Sequence, residues 1–210
     1  MDERIIEGPE CIAEGIAFLT AVEPRFASAF EQTGELPLRL RKDGFSALLD
    51  AIVSQQISVA AADSIWAKLA DAKLTSARAV AQAAEDELRA CGLSRPKIRY
   101  AKALAGAGIN YRGLHRAPMD EVVDRLTAVT GIGKWTAEIY AMFSLGRADG
   151  FAAGDLALQE AARILFRLKE RPTERQLEEM AAAWRPWRSV AARQLWAYYR
   201  IAKQREGIRQ

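Results

Sequence analysis

Residues 126–140 read LTAVTGIGKWTAEIY. Gly131 and Gly133 enclose one isoleucine, Ile132, and apolar residues at helical spacing lie on both sides. Upstream, Met119 to Leu126 is predicted as a short helix starting just after Pro118, since proline is tolerated at a helix start and not inside one. Downstream, residues 134–145 are predicted as a second helix, about 18 Å long at the usual rise. The result is a helical hairpin that turns on glycine. Its elementary chemistry is anion capture. Glycine lets an anion reach the backbone with no Cβ in the way. The free N–H groups of the second helix carry its positive dipole end, and Lys134 adds a charge there. Gly131, Gly133 and Lys134 are therefore candidate phosphate-binding residues. A plain structural corner is the competing reading, because many helix pairs turn on glycine.

The helical period continues outward. Leu48, Leu49, Ile52, Val53 and Ile57 recur at three- and four-residue intervals, as do Ile65, Trp66 and Leu69. Alanine-rich runs at 60–62 and 81–84 favour helix. No alternating strand pattern stands out. The breaks near 33–37, 93–97, 106–113 and 146–154 carry glycine or proline, and none is long enough for a disordered linker. The expectation is an all-α protein of roughly nine or ten short helices.

Composition removes several classes of function. The chain has 210 residues, half of them hydrophobic, which suffices for one domain or two small subdomains. No run of about 18 apolar residues occurs, so no membrane span is expected. The acidic start, with Asp2, Glu3, Glu7, Glu10 and Glu14, lacks the basic region of a secretory signal. Cys11 and Cys91 are the only cysteines, which suits a reducing cytoplasm and is too few for an all-cysteine zinc or iron–sulfur site. His115 is the only histidine, which removes two-histidine mechanisms, and its basic, loop-like surroundings read as solvent-exposed. The net charge of +3 is modest but unevenly spread. Residues 88–119 hold Arg89, Arg95, Lys97, Arg99, Lys102, Arg112 and Arg116 without an acid. The tail holds Arg185, Arg188, Arg193, Arg200, Lys203, Arg205 and Arg209 against Glu206. Such asymmetry fits a polyanion partner, and equally the solvated faces of ordinary helices.

Asp155 stands directly before LALQEAARILF, residues 156–166. Read locally it is a helix N-cap, a role for which aspartate is preferred and which is worth about 1 kcal/mol. A capping carboxylate is also held in one orientation, so a cap can serve chemistry as well.

With its neighbours, LTAVTGIGKWTAEIY resembles the hairpin of the helix-hairpin-helix (HhH-GPD) DNA glycosylase superfamily. Leu126 matches the leucine that the family places five residues before the first glycine. AIVSQQISVAAA at 51–62 and WRPWRSVAARQLW at 184–196 are similar to the 3-methyladenine DNA glycosylase II type. The resemblance covers about residues 45–200 and leaves no room for the extra N-terminal α/β domain that many bacterial members carry. It implies two helical subdomains with the active-site cleft between them: a central one at about 45–145 including the hairpin at 126–135, and a second from about 1–44 plus 146–210.

The resemblance also implies roles. The family places an aspartate about twenty residues beyond the hairpin, and Asp155 lies 22 residues after Gly133. One carboxylate suffices to stabilise the positive charge that builds on the sugar as an N-glycosidic bond breaks, and to orient or deprotonate the attacking water. Lyase members carry a lysine two residues after the second glycine. Trp135 occupies that position here, so no lyase activity is expected. Trp135 and Trp196 fall at base-pocket positions, where aromatic faces attract a cationic base by cation–π interaction. Tyr140 is a weaker pocket candidate, and Trp135 could instead belong to an apolar stripe with Ile139, Met142 and Phe143. Gln56 takes the position of the wedge that enters the duplex where the base leaves, or is simply an exposed glutamine. The main-chain carbonyls of Thr127, Val129 and Ile132 correspond to ligands of a monovalent cation, Na+ or K+. Trp184 and Trp187 hold the WRPW turn, with Arg188 structural or phosphate-facing. The implied protein is a monomeric cytoplasmic enzyme, nucleoid-associated in a bacterium, which acts on double-stranded DNA containing damaged bases. It needs no cofactor and carries no iron–sulfur cluster. A non-catalytic helix-hairpin-helix DNA-binding module and an all-α protein–protein adaptor are the alternatives.

Overall fold

A computed structural model describes residues 3–207, with side chains through Gln204. Asp2 and Arg209, and the side chains of Arg205 and Glu206, lie outside the described residues. The helices are α1 (Pro9–Val22), α2 (Arg25–Thr33), α3 (Phe45–Ser54), α4 (Val59–Asp71), α5 (Ala77–Gln82), α6 (Glu85–Ala90), α7 (Arg95–Gly106), α8 (Tyr111–Leu114), α9 (Met119–Thr127), α10 (Lys134–Phe143), α11 (Leu156–Leu165), α12 (Glu174–Ala181) and α13 (Arg188–Gly207). A single 3-10 turn covers Ala182–Trp184. The all-α expectation holds. The helices outnumber the nine or ten expected because α5, α6 and α8 span six, six and four residues, too few to display a 3.6-residue period. Among the described residues the β-type pairing is the isolated bridge between Ile5 and Arg147. No described helix is long and apolar enough to cross a membrane.

Two compact units divide the chain: Met1–Leu40 with Gly146–Gln210, and Arg41–Leu145. In the second, α3 is the central helix. Its Leu48, Leu49, Ile52 and Val53 are fully buried, and Leu69, Ile98, Leu104 and Leu126 of α4, α7 and α9 complete the same core. Ile57 departs from the expected stripe. The helix ends at Ser54, and Ile57 stands exposed beyond it. Gln56, with φ of +56°, turns the chain away from helical continuation. The hairpin pair is α9 and α10, and α10 stops two residues short of the expected 145.

In the other unit the two chain segments are joined by backbone. Ile6 N–H donates to the Gly146 carbonyl at 2.7 Å, and Ala148 N–H donates to the Arg4 carbonyl at 3.0 Å. Here α13 packs on α11 and α2. Its Arg193 is buried, donating to the Ser189 carbonyl at 3.0 Å, and burial with nearby Arg39 pushes its guanidinium down to about 10. The WRPW segment is structural, as expected. Arg188 grips Asp149 through two bonds of 2.7 and 2.9 Å. Trp184 is buried against Phe26, Phe151 and Phe166, with ring centroids 5.2, 5.8 and 5.7 Å away. Removing this ring would leave a cavity among three phenylalanines. Trp184→Ala is expected to cost about 3–5 kcal/mol, read as a lowered midpoint in urea unfolding.

Candidate active site

The turn between α9 and α10 is built from inside out. Ile132 is buried and pins the turn into its unit's core. Gly131 has φ of +98°, and a Cβ there would lie 2.3 Å from Cγ of Tyr100. Internal packing alone therefore demands glycine at 131. Gly133 is different. Its φ of −87° suits any residue, and a Cβ added there would meet no protein atom within 4 Å. Nothing in the fold requires glycine at 133, so its missing side chain leaves backbone open to something outside the chain. Gly133 is the N-cap of α10, whose first N–H groups have no intrahelical partner. Lys134 follows, half-exposed, with Nζ 3.7 Å from the buried Glu138 carboxylate.

The carbonyls of Thr127, Val129 and Ile132 lie in and just before this turn. That of Val129 accepts from Ile132 N–H at 3.0 Å, which leaves a second lone pair for a cation. Neutral carbonyl oxygens suit a hard monovalent ion, so the donor set fits Na+ or K+.

Gln55 joins this turn to the end of α3. Its Nε2 donates to the Gly131 carbonyl at 3.0 Å. The next residue, Gln56, takes the left-handed conformation that non-glycine residues rarely adopt and projects into solvent. Lys97 of α7 secures the same helix end, donating to the Val53 carbonyl at 2.6 Å, and burial pulls its ammonium below the usual lysine range. Ile57 and Val59 are exposed beside Gln56. A polar tip flanked by apolar residues is thus held by hydrogen bonds from two sides.

A cavity of about 1030 Å³ opens in the same unit. One face of α3 lines it with Ala47, Asp50, Ala51 and Ser54, and one face of α4 with Ala62, Asp63 and Trp66. The third wall is Trp135, Ile139 and Tyr140 of α10, and Gln56 stands on its edge. Trp135 is 51% exposed, so the core reading of this residue fails, while Met142 and Phe143 on the same helix are buried. Tyr140 is buried, and its hydroxyl accepts from Gly44 N–H at 2.8 Å. Burial pushes this phenol up to about 12, so it stays protonated. It lines the cavity but serves the fold.

Asp155 is the N-cap of α11 in the other unit. Its Oδ1 accepts from Ala157 N–H at 2.9 Å and Leu158 N–H at 3.0 Å. The indole Nε1–H of Trp196, on α13, donates to the same oxygen at 3.2 Å. The carboxylate is half-buried and fixed from two helices, with Leu156 exposed beside it. The local cap reading is correct, and the cap holds the carboxylate in place. His115 is exposed and sits 2.6 Å from Asp43.

Gln56, Trp135 and Tyr140 therefore share one cavity, Gly131, Gly133 and Lys134 share one turn, and Asp155 and Trp196 are bonded to each other. Sequence reasoning missed Gln55, Asp50 and the bond from Trp196. Polar Asp50 within the apolar run Leu48–Val53 was the available signal for one of them.

Residues 49–188 match the model of the HhH-GPD superfamily base excision DNA repair proteins. DNA-3-methyladenine glycosylase 1 of Schizosaccharomyces pombe is 31% identical over 180 residues, 80% of this chain and 78% of that protein. The crystal structure of DNA-3-methyladenine glycosidase from Bacillus halodurans superposes with a TM-score of 0.83 at 29% identity, covering 97% of this chain and 95% of the other. The Schizosaccharomyces pombe 3-methyladenine DNA glycosylase in complex with abasic DNA superposes with a TM-score of 0.74 at 27% identity, covering 90% and 97%.

Proposed function

This chain belongs to the HhH-GPD superfamily of base excision DNA repair proteins, and on that premise we propose that it is a monofunctional glycosylase releasing alkylated purines, 3-methyladenine and 7-methylguanine among them, from double-stranded DNA. The observation that carries the chemistry is the fixed carboxylate of Asp155, held at Oδ1 by two helix N–H groups and the Trp196 indole.

The reaction needs little more than that anion. An N-alkylated purine already carries positive charge. The C1′–N9 bond breaks with its electron pair going to the base, which leaves neutral. The charge passes to the sugar, beside the Asp155 carboxylate. Water then adds at C1′ and gives up a proton, leaving an abasic site. Gly131, Gly133 and the first N–H groups of α10 grip a backbone phosphate, a contact that positions the duplex without reading sequence. The Thr127, Val129 and Ile132 carbonyls would hold a monovalent cation, whose charge assists that grip. Gln56 fills the space the base vacates, offsetting part of the few kcal/mol that unstacking costs. Trp135 offers an aromatic face to the cationic base.

Trp135 stands where lyase members carry their nucleophilic lysine. Lys134 is one helical step, about 100°, away and lies near Glu138. The test is incubation with duplex DNA carrying a methylated purine. Free base and an intact abasic strand are expected, with no adduct on borohydride addition. A borohydride-trapped protein–DNA adduct lost in Lys134→Ala would overturn the monofunctional assignment, and absence of released base would overturn the glycosylase reading.

A further inference from the structure

Asp50 is a half-buried carboxylate with no evident fold role. It sits mid-helix in α3, one residue after the fully buried Leu49 and two before the fully buried Ile52. Among the described residues it makes no hydrogen bond and no ion pair. Arg41 acts on it through space, and that guanidinium lies over the Phe143 ring, 5.9 Å from its centroid. Desolvation raises the Asp50 carboxyl above its usual range, Arg41 opposes this, and Asp63 adds to it. A partly desolvated carboxylate without a donor costs free energy. Such a cost on a wall of the cavity points to a partner that arrives from outside.

The surroundings define that partner's chemistry. Asp50 faces the cavity shared with Trp66 of α4 and with Trp135 and Ile139 of α10. Asp63 lines the α4 wall, whereas Arg41 and Lys42 line the cavity from the segment before α3. Indole rings beside a carboxylate favour a flat, positively charged ring system. The rings supply contact area and cation–π attraction, and the carboxylate supplies charge. A flat neutral base would gain the rings but would leave the carboxylate without its counter-charge.

We propose that Asp50 is a specificity-determining residue, which selects the positively charged form of a damaged base in this cavity. The proposal rests on the glycosylase reading. It differs from the role of Asp155, which stabilises charge on the sugar whichever base departs. Asp50 acts on the base alone and therefore sets the ratio between cationic and neutral lesions.

The experiment compares single-turnover release of 7-methylguanine, a cationic lesion, with release of hypoxanthine, a neutral one, from the same duplex sequence. Asp50→Asn keeps size and shape and removes the charge. The cationic-to-neutral ratio is expected to fall about tenfold, the scale of one charge–charge contact in partly solvated surroundings. Asp50→Glu is expected to keep most of the ratio and Asp50→Ser to lose it, with the neutral variants Asp50→Asn and Asp50→Ser melting no lower than the parent. An unchanged ratio in Asp50→Asn, or an equal loss on both lesions, overturns the proposal while leaving the glycosylase reading intact. Failure of the parent protein to release either base overturns both.

Discussion

Asp155→Asn is expected to fold, bind abasic duplex DNA and lose excision by about 10²–10³-fold, the usual cost of removing one pre-organised electrostatic contact to a transition state. The expectation separates two jobs of one side chain. Asparagine caps helices about as well as aspartate, and its Oδ1 can still accept from Ala157, Leu158 and the Trp196 indole. What changes is charge. Loss of the carboxylate's interaction with the α11 dipole costs about 0.3–1 kcal/mol of stability, too little to unfold a domain. Asp155→Ala removes cap and charge together, and about 1 kcal/mol of further destabilisation is expected from the lost cap. The checks are a single-turnover release assay on methylated duplex, a binding titration with abasic duplex, and thermal melts. Excision by Asp155→Asn within about tenfold of the parent would remove Asp155 from the reaction.

The same residue shows where sequence suffices. The cap was legible because it is local: an aspartate, then an apolar run at helical period, with both bonds closing within three residues. The Trp196 bond was not, because it joins α11 to a residue 41 positions later and depends on how α13 packs. The hairpin was legible for a similar reason, since two glycines around a buried isoleucine make a turn with little outside help. The end of α3 was not. The apolar spacing carries on to Ile57, whereas the left-handed Gln56, the Gln55 bond to Gly131 and the Lys97 bond to Val53 end the helix at Ser54. The cavity lay further out of reach. Its walls come from α3, α4 and α10, each an ordinary amphipathic helix in isolation. The distinction of Trp135, exposed on a cavity, from Phe143, buried on the same helix, follows from packing alone. Resemblance supplied the reading of Trp135 that periodicity left open.

The two hairpin glycines look alike in sequence and should fail in opposite ways when each is changed to alanine. At Gly131 the backbone is left-handed and Tyr100 occupies the Cβ position. Strain and overpacking together should cost about 2–5 kcal/mol, visible as a lowered unfolding midpoint before any DNA is added. At Gly133 the new methyl meets open space and an ordinary φ. Alanine is a poorer cap than glycine there, but it also restricts the unfolded chain, so stability should move by less than about 1 kcal/mol. Its effect should fall on DNA. A methyl group at the mouth of α10 keeps a phosphate from the backbone N–H groups, forfeiting a charge-assisted bond worth about 1.5–3 kcal/mol, or roughly 10- to 100-fold in affinity. Because the lost contact is to a phosphate, the slope of log affinity against log salt should flatten by about one contact. Fluorescence anisotropy with abasic duplex across a salt series, paired with thermal melts of both variants, reads both effects. If Gly133→Ala binds as tightly as the parent with the same salt slope, the turn is only a corner and the phosphate lies elsewhere. If it melts early like Gly131→Ala, the open space at 133 is already needed by the fold.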